Sequence, residues 1–387
     1  MPRYSVLLPT RNGASLLEGC VSSVLDQEYR DFELVVSDNA SEDETPQILA
    51  RYASDSRIRL LRQDKALGVT DSWNAALAAS SGERITLLGD DDALLPGYFE
   101  RADALIDRYD DPDVLLYNGC AFAYPGFAGS AISNYADPFF EIVPPVPSDG
   151  VLTPEMRREI IGHLFRFDFP IPLNMQTGLV ARRVVAKLPD GLFKPPFPDF
   201  YAFGGLMLTD ASWVVSSERL VVVGVSPKSF GQTVHSSESA RQAQDYLGID
   251  PRFEGRLPGS EVMNGHYETL LSLQADFAEA LEGVEIDRHE YAWQQVYSWY
   301  VQRRLGSLST RDVARRARGL TPSDWVGIAR LFAKRLRPGV LRRRMTLGGE
   351  AATSTLWPGM RPLPQVSNIV DFVTWIEAQH PRAPIRA

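Results

Sequence analysis

Three consecutive aspartates, Asp90, Asp91 and Asp92, are the densest group of reactive side chains in the sequence. Carboxylates this close raise the cost of ionising one another, and a hard divalent cation among them offsets that cost. Mg²⁺ or Mn²⁺ takes one or two carboxylates and fills its remaining positions with water and phosphate oxygens. The triplet therefore predicts a site where an ion neutralises a diphosphate. The alternative is a solvated acidic turn that caps a helix beginning near Pro96.

Asp38 is a second carboxylate directly after an apolar run, in the stretch Val35-Val36-Ser37-Asp38-Asn39. A carboxylate at such a point can accept hydrogen bonds from a uracil-type base edge or from ribose hydroxyls. The alternative is that Asp38 and Asn39 only close a turn, for which both residue types are suited.

The elements that position these residues alternate regularly over the first 120 residues. Strand-like runs are expected at 4–8, 32–37, 57–61, 84–88 and 114–117, and helical spacing at 14–27, 43–53, 70–80 and 97–108. This alternation predicts an α/β fold with a mostly parallel sheet covered by helices on both faces. Ligands bind at the carboxyl ends of strands in such sheets. Ser41 and Glu44 predict a capping box for the second helix.

Several short motifs occur together at these strand ends: Pro9-Thr10-Arg11-Asn12, Asp38, Gly68 with Asn74 before Gly82-Glu83, and Gly89-Asp90-Asp91-Asp92 followed by Pro96. In this combination the chain resembles the family 2 glycosyltransferases, closely over residues 3–118 and loosely over 176–235. The resemblance implies a GT-A-type, Rossmann-like fold. It also implies inverting transfer of a sugar from a nucleotide-diphosphate sugar, with a UDP-sugar favoured, onto a glycan or lipid-linked acceptor.

The resemblance also implies roles for individual residues. Asp91 matches the metal-binding carboxylate of the family's Asp-x-Asp element, and Asp92 beside it is a second expected metal ligand. The first Asp of that element falls at Gly89, a departure from the commoner pattern. His235 is a further candidate ligand for Mn²⁺ or Mg²⁺, while Arg11 and Lys228 are candidates for contacting the diphosphate. Asp38 matches the base-recognising Asp, and Asn39 stands where many members have another acidic residue. The residues expected to bind the nucleotide-sugar are Pro9, Thr10, Asn12, Asp38, Lys65, Gly68, Asn74 and Asp90.

Inverting members of that family use a carboxylate as general base, on the face of the sugar opposite the metal. Asp199 is the expected base, because it follows a strand-like segment at 176–186 and precedes an apolar helix. The alternative is that Asp199 is the N-cap of that helix. Asp190, Asp210 and Asp168 are the competing carboxylates.

Composition and charge limit the functional classes and cellular locations that fit the sequence. The 387 residues carry a net charge of -9, yet residues 301–350 hold 13 Lys or Arg against 3 Asp or Glu. The acidic main body disfavours nucleic-acid binding. Two distant cysteines fit a reducing cytoplasm. We expect neither a signal peptide nor an apolar span long enough to cross a membrane.

The chain is expected to divide into a catalytic domain over residues 1–240 and an α-helical region over 241–387. Helices are predicted near 260–282, 287–304, 310–318, 322–336 and 367–379. The segment 325–336 reads as an amphipathic basic helix, and Arg342, Arg343 and Arg344 follow it. It predicts peripheral docking on the inner membrane surface. The alternatives are a helical cap on the catalytic domain and a contact in a homo-oligomer.

Other functional classes fit the sequence less well. A dinucleotide-dependent oxidoreductase needs a glycine-rich turn after the first strand, and neither GxGxxG nor a P-loop motif occurs. A sugar nucleotidyltransferase is expected to carry a Gly- and Arg-rich loop there, and the chain lacks one. A non-catalytic nucleotide-binding or sugar-binding protein remains the alternative from a different class.

Overall fold

The computed structural model describes residues 1–229, 244–304, 306, 308–335 and 360–384. Within these residues eleven strands form one sheet. The strands are β1 (Tyr4–Thr10), β2 (Phe32–Asp38), β3 (Ile58–Arg62), β4 (Arg84–Leu87), β5 (Ala93–Leu94), β6 (Val114–Ala123), β7 (Ser133–Ala136), β8 (Gly150–Val151), β9 (Gly178–Ala181), β10 (Trp213–Val225) and β11 (Arg361–Leu363).

Eleven helices flank the sheet within the same residues, and each predicted helix has a counterpart among them. They are α1 (Leu17–Leu25), α2 (Thr45–Ala50), α3 (Val69–Ala79), α4 (Tyr98–Arg108), α5 (Pro154–Leu164), α6 (Pro198–Met207), α7 (Glu261–Asp276), α8 (Arg288–Arg304), α9 (Thr310–Ala317), α10 (Pro322–Arg335) and α11 (Ile369–Gln379). Short 3₁₀ turns lie at Phe127–Gly129, Met175–Thr177 and Arg182–Lys187.

The N-terminal half of the sheet is parallel, in the order β3-β2-β1-β4. Strand β9 then pairs antiparallel with both β4 and β6, and β10 runs parallel to β6. The expected fold class, a mixed and mostly parallel α/β sheet flanked by helices, is confirmed. Because β1, β2, β3 and β4 are parallel, their carboxyl ends meet at one edge of the sheet.

Alternating side chains of the central strands enter two different hydrophobic cores. Leu7 and Val35 belong to one core, together with residues of α5, α6 and the later helices. Val6 and Val36 belong to the other, on the α1 and α4 side. Because side chains alternate along a strand, a parallel sheet covered on both faces needs such continuous apolar runs.

The C-terminal helices complete these cores. Leu270 of α7 and Tyr291 of α8 lie in the same buried cluster as Phe203 of α6. Phe372 of α11 stacks on Phe122 of β6, with ring centroids 4.7 Å apart. The domain boundary near residue 240 falls outside the described residues and stays a prediction.

Two local expectations need correction. The capping box is absent, because α2 begins at Thr45 with Glu44 as N-cap and no side-chain cap bond. The strand-like segment expected at 176–186 forms a strand only as far as Ala181, where a 3₁₀ turn follows it.

Candidate active site

Asp90 lies directly beyond β4, next to the end of β1. Its carboxylate accepts a hydrogen bond from the Thr10 hydroxyl at 2.6 Å and lies 3.8 Å from the Lys228 ammonium group. Lys228 also donates to the backbone carbonyls of Arg11 and Asn12. Burial raises the pKa of Asp90, while the Lys228 charge acts in the opposite direction. The Asp90 carboxylate and the Lys228 ammonium group thus connect the ends of β1 and β4.

Asp91 is held by residues from two other parts of the chain. Its carboxylate accepts a hydrogen bond from the Ser229 hydroxyl at 2.7 Å, and its backbone carbonyl accepts one from the Tyr124 hydroxyl at 3.2 Å. A Cβ atom at Gly224 would lie 1.7 Å from that carbonyl oxygen. A glycine is therefore required at 224 for β10 to pass this close to the aspartate loop.

Asp92 is a buried support of the loop. One carboxylate oxygen accepts the Gly89 N–H at 2.6 Å and the other accepts the Gly224 N–H at 2.8 Å, and the residue is 1% exposed. Burial, reinforced by the charge of Asp91, raises its pKa well above the usual range. Because both oxygens already bind backbone donors, this geometry disfavours the predicted role of Asp92 as a metal ligand.

The acidic triplet is not a solvated helix cap. Strand β5 follows it at once, and α4 begins at Tyr98 with Gly97 as N-cap in the left-handed conformation. In the part of the chain that the structure describes, no cluster of three or more His, Cys, Asp or Glu side chains forms a ready-made metal cage. Asp91, half-buried and bonded to a single hydroxyl, with Asp90 beside it, fits a cation that completes its shell with water and phosphate.

Asp38 lies at the end of β2, directly opposite Arg62 at the end of β3. The Arg62 guanidinium donates to one Asp38 oxygen at 2.6 Å, and the Ser41 N–H donates to the other at 2.9 Å. Asp38 is 2% exposed, whereas 53% of the Arg62 side chain is exposed. Arg62 therefore covers the carboxylate predicted to recognise the nucleotide base.

The loops around Asp38 are held by two asparagines. The Asn12 N–H donates to the Ser41 hydroxyl at 2.8 Å, which is the actual role of the serine predicted to cap α2. The Asn39 side chain exchanges two hydrogen bonds with the backbone of Leu67, at 2.7 and 3.0 Å. The loops after β1, β2 and β3 are thereby fixed relative to one another.

The other residues predicted to bind the nucleotide-sugar surround this edge less closely. Pro9 lies within β1 opposite Ser37, Lys65 is exposed on the loop after β3, and Gly68 precedes α3. The Asn74 side chain donates to the Phe193 carbonyl at 3.1 Å, so in this structure it supports the segment before α6. His235 lies outside the described residues.

Asp199 is the second residue of α6, and Phe197 is its N-cap, so the N-cap alternative for Asp199 is wrong. One Asp199 oxygen accepts the Phe200 N–H at 2.9 Å, and burial raises the pKa of this carboxyl to about 6. Each competing carboxylate has a side-chain partner at the surface. Asp190 forms an ion pair with Lys194 and Asp210 forms one with Lys187, while Asp168 is hydrogen-bonded to the His163 ring.

Three residues at the site were missed from the sequence: Arg62, Ser229 and Tyr246. Arg62 is the register partner of Asp38, so extending the predicted third strand by one residue identifies it. A Cβ atom at Gly68 would lie 3.3 Å from the Tyr246 carbonyl, which places residue 246 beside the start of α3. Nothing in the local sequence of Ser229 or Tyr246 signals this proximity, because both are far from the aspartates along the chain.

A comparison with known protein families agrees with the glycosyltransferase motifs found at this edge of the sheet. Residues 5–126, about a third of the chain, match the family model described as Glycosyl transferase family 2. This match confirms, over residues 5–126, the resemblance inferred from the motifs.

Two curated relatives each match between a quarter and a third of the chain. The GalNAc(5)-diNAcBac-PP-undecaprenol beta-1,3-glucosyltransferase of Campylobacter jejuni is 39% identical over 99 residues, covering 25% of this chain and 32% of that protein. A PGL/p-HBAD biosynthesis glycosyltransferase of Mycobacterium bovis is 34% identical over 116 residues, covering 30% and 45%. The matched region thus spans less than half the length of these relatives.

Among solved structures, a mannosyltransferase from Pyrobaculum calidifontis in complex with GDP-Man and Mn²⁺ aligns with 92% of this chain and 87% of its own. Its TM-score is 0.46 and its sequence identity is 16%.

Proposed function

We propose that this protein transfers a sugar from a nucleoside-diphosphate sugar to a hydroxyl group of an acceptor. The observation that carries the proposal is the convergence of Thr10, Asp90, Asp91 and Lys228 at the carboxyl ends of β1 and β4. Beside them lies the buried Asp38. Such an edge offers oxygen ligands for a cation and an ammonium group for phosphate. The base or ribose is proposed to bind beside Asp38 and the Arg62 side chain that covers it.

Mn²⁺ or Mg²⁺ is the proposed cofactor, with Asp91 as its protein ligand and Asp90 as a supporting acceptor. A bound cation would neutralise the charge of the diphosphate and so stabilise it as a leaving group. Lys228 contributes a positive charge on the same side, 3.8 Å from Asp90. His235 remains a proposed additional ligand.

Asp199 is the proposed general base. It takes the proton from the acceptor hydroxyl as that oxygen bonds to the anomeric carbon, while the bond from this carbon to the diphosphate oxygen breaks and leaves its electron pair on the diphosphate. A pKa of about 6 suits this task. The carboxylate is mostly ionised at neutral pH and holds a proton more readily than an exposed aspartate does.

The proposed acceptor is a glycan or a lipid-linked sugar. Support for a lipid carrier comes from the undecaprenol in the name of the Campylobacter relative and from α10. Trp325, Ala329 and Phe332 recur at helical spacing and are exposed on one face of that helix. With Arg315 and Arg330 also exposed nearby in sequence, this face fits the surface of an anionic membrane.

Within the described residues, no helix combines the length and the apolar character needed to cross a bilayer. The proposed contact is therefore peripheral and electrostatic in part. Arg342, Arg343 and Arg344, which were expected to strengthen it, lie outside the described residues. The proposed location is the cytoplasmic side of the membrane, where the buried free thiols of Cys20 and Cys120 stay reduced.

Hydrolysis of the donor by water tests the proposal without a known acceptor. UDP-glucose, UDP-N-acetylglucosamine, dTDP-glucose and GDP-mannose would be incubated with the protein, with and without Mn²⁺, and the release of nucleoside diphosphate measured. We expect slow, metal-dependent release from one donor and its loss in Asp91→Asn. If no donor is cleaved while a nucleotide still binds, the protein is a non-catalytic binder and the proposal is wrong.

A further inference from the structure

A small cavity of about 270 Å³ lies between α6 and α7. It is bordered by Asp199 and by three phenylalanines, Phe169, Phe197 and Phe200, with His266 of α7 among them. Its volume is slightly below the ~300–1,000 Å³ typical of ligand pockets. The space therefore suits one sugar ring better than a larger group.

His266 is surrounded by aromatic rings and has no polar partner in the described part of the chain. Its ring centroid lies 4.6 Å from that of Phe197, 4.9 Å from Phe200 and 5.0 Å from Phe169. The Nδ1 atom is buried without a hydrogen bond. Leaving a buried polar atom unpaired is unfavourable, and a bound hydroxyl group would supply the missing hydrogen bond.

The position of Phe197 depends on Gly265. A Cβ atom there would lie 2.5 Å from the Phe197 ring, so the glycine lets this ring pack against α7 next to His266. On the other side, Phe197 packs against a small cluster of Val69, Leu247 and Ile249. Val69 is the first residue of α3 and follows Gly68, which is expected to contact the nucleotide-sugar. A single aromatic ring therefore connects the cavity with the start of α3.

We propose that this cavity binds the terminal sugar ring of the acceptor, and that His266 is a specificity residue which hydrogen-bonds one of its hydroxyls. The apolar face of a pyranose packs on aromatic rings, while its hydroxyls need polar partners at the edge. Asp199 and His266 are the polar groups that border the cavity. The inference rests on the proposed function, because this cavity is an acceptor site only if Asp199 is the base.

The protonation of His266 agrees with this role. Burial lowers its pKa to about 4, so the imidazole is neutral at physiological pH. A neutral imidazole has one N–H donor and one acceptor nitrogen, which matches the two roles of a sugar hydroxyl. A charged imidazolium would lack the acceptor.

The test uses the full chain labelled with ¹⁵N on its five histidines, which keeps the spectrum simple. Methyl pyranosides of glucose, galactose, mannose and N-acetylglucosamine are titrated in the presence of UDP and Mn²⁺. We expect at least one of them to shift the ring nitrogen signals of His266 and to leave those of His163, which is paired with Asp168, unchanged.

The variant His266→Phe keeps a ring in the aromatic cluster and removes both nitrogens. Binding of the same pyranoside, followed by its own saturation-transfer signal, should weaken about tenfold, as expected for the loss of a hydrogen bond, with the melting temperature retained. If no pyranoside shifts His266, or if His266→Phe binds equally well, the inference is wrong. Failure of UDP, dTDP and GDP alike to stabilise the protein in the presence of Mn²⁺ would instead contradict the proposed function itself.

Discussion

The Arg62 guanidinium donates a hydrogen bond to the Asp38 carboxylate at 2.6 Å, across the ends of β2 and β3. Asp38 is almost fully buried, and a buried carboxylate is costly unless its charge and its hydrogen bonds are compensated. Arg62 supplies the opposite charge, and the Ser41 N–H donates a hydrogen bond to the second oxygen. The Arg62 guanidinium also binds the Ser41 carbonyl at 2.9 Å. One arginine therefore orders the loop in which the nucleotide base is proposed to bind.

Replacing Arg62 by Met should lower the free energy of unfolding by about 1–2 kcal/mol and weaken nucleotide binding. The estimate lies below the 3–5 kcal/mol for breaking a fully buried pair, because half of the Arg62 side chain is exposed. Denaturant unfolding and isothermal titration would measure the two effects. Arg51→Met is the matched control, since its ion pair with Glu18 is exposed on both sides. Equal effects of the two variants would contradict this interpretation.

Asp91 and Asp92 are neighbours with different expected roles. Asp92→Asn places an amide N–H against the backbone N–H of Gly89 or Gly224, so we expect a loss of about 1–3 kcal/mol in stability. Asp91→Asn should unfold at nearly the wild-type temperature and lose only metal-dependent nucleotide binding. Thermal unfolding without ligand separates the two. A destabilised Asp91→Asn with a wild-type-like Asp92→Asn would reverse the assignment.

Activity should fall at acid pH as Asp199 becomes protonated. With a pKa of about 6, the rate at saturating donor should drop tenfold for each pH unit well below 6. Above pH 7 Asp199→Asn should transfer about 10²–10⁴-fold more slowly than the wild type. This difference should shrink at acid pH, because the wild-type carboxylate is then protonated. Asp210→Asn, which alters an exposed ion pair with Lys187, is the control and should retain the wild-type profile.

The free energy of unfolding should rise in Asp199→Asn at neutral and alkaline pH, even though the activity falls. The folded-state pKa is raised, so the ionised carboxylate disfavours folding, and the stability that the protonated form contributes is lost as the pH rises from about 4 to 6. At pH 8 the asparagine variant should be more stable, by on the order of 2 kcal/mol. Lower activity combined with a lower melting temperature would indicate a structural role instead.

Features of the fold and the site that depend on neighbouring residues could be predicted from the sequence, whereas contacts between residues far apart in the chain could not. The parallel order of the first strands and the position of Asp90 beside Thr10 follow from local patterns, because each strand is apolar and each motif directly follows its strand. The contact of Ser229 with Asp91, and of Phe197 with His266, depends on how distant segments pack. No local pattern encodes these contacts.

The exact ends of helices and strands were also predicted less well than their existence. The predicted α2 capping box is absent because Glu44 is the N-cap and Asp43, rather than Ser41, binds the first backbone N–H of the helix. The Asp43 carboxylate accepts the Thr45 N–H at 3.0 Å, and Ser41 turns toward Asn12. The hydrogen bond from the Gly224 N–H to Asp92 is likewise not indicated by the local sequence, because β10 supplies it from a point more than a hundred residues away.

The exposed face of α10 predicts binding to anionic vesicles. We expect co-sedimentation with vesicles containing phosphatidylglycerol, weaker at high salt, and little with pure phosphatidylcholine. The double variant Trp325→Ser/Phe332→Ser should lose most of this binding, since these rings are 45% and 51% exposed. Val370→Ser, which alters an equally exposed apolar residue on α11, is the control. If vesicle binding is unchanged both at high salt and in the double variant, this face is not the membrane contact.

The most direct test of the central claim is the thermal stabilisation of the wild type and of Asp91→Asn by UDP, dTDP, GDP and CMP, each with and without Mn²⁺. A ligand at 100 times its dissociation constant adds roughly 2.7 kcal/mol, which a melting curve resolves. We predict that one diphosphate raises the melting temperature of the wild type only when Mn²⁺ is present, and that Asp91→Asn loses this effect. If no nucleotide raises the melting temperature with or without the metal, the edge formed by Thr10, Asp38, Asp90 and Asp91 is not a nucleotide-sugar site.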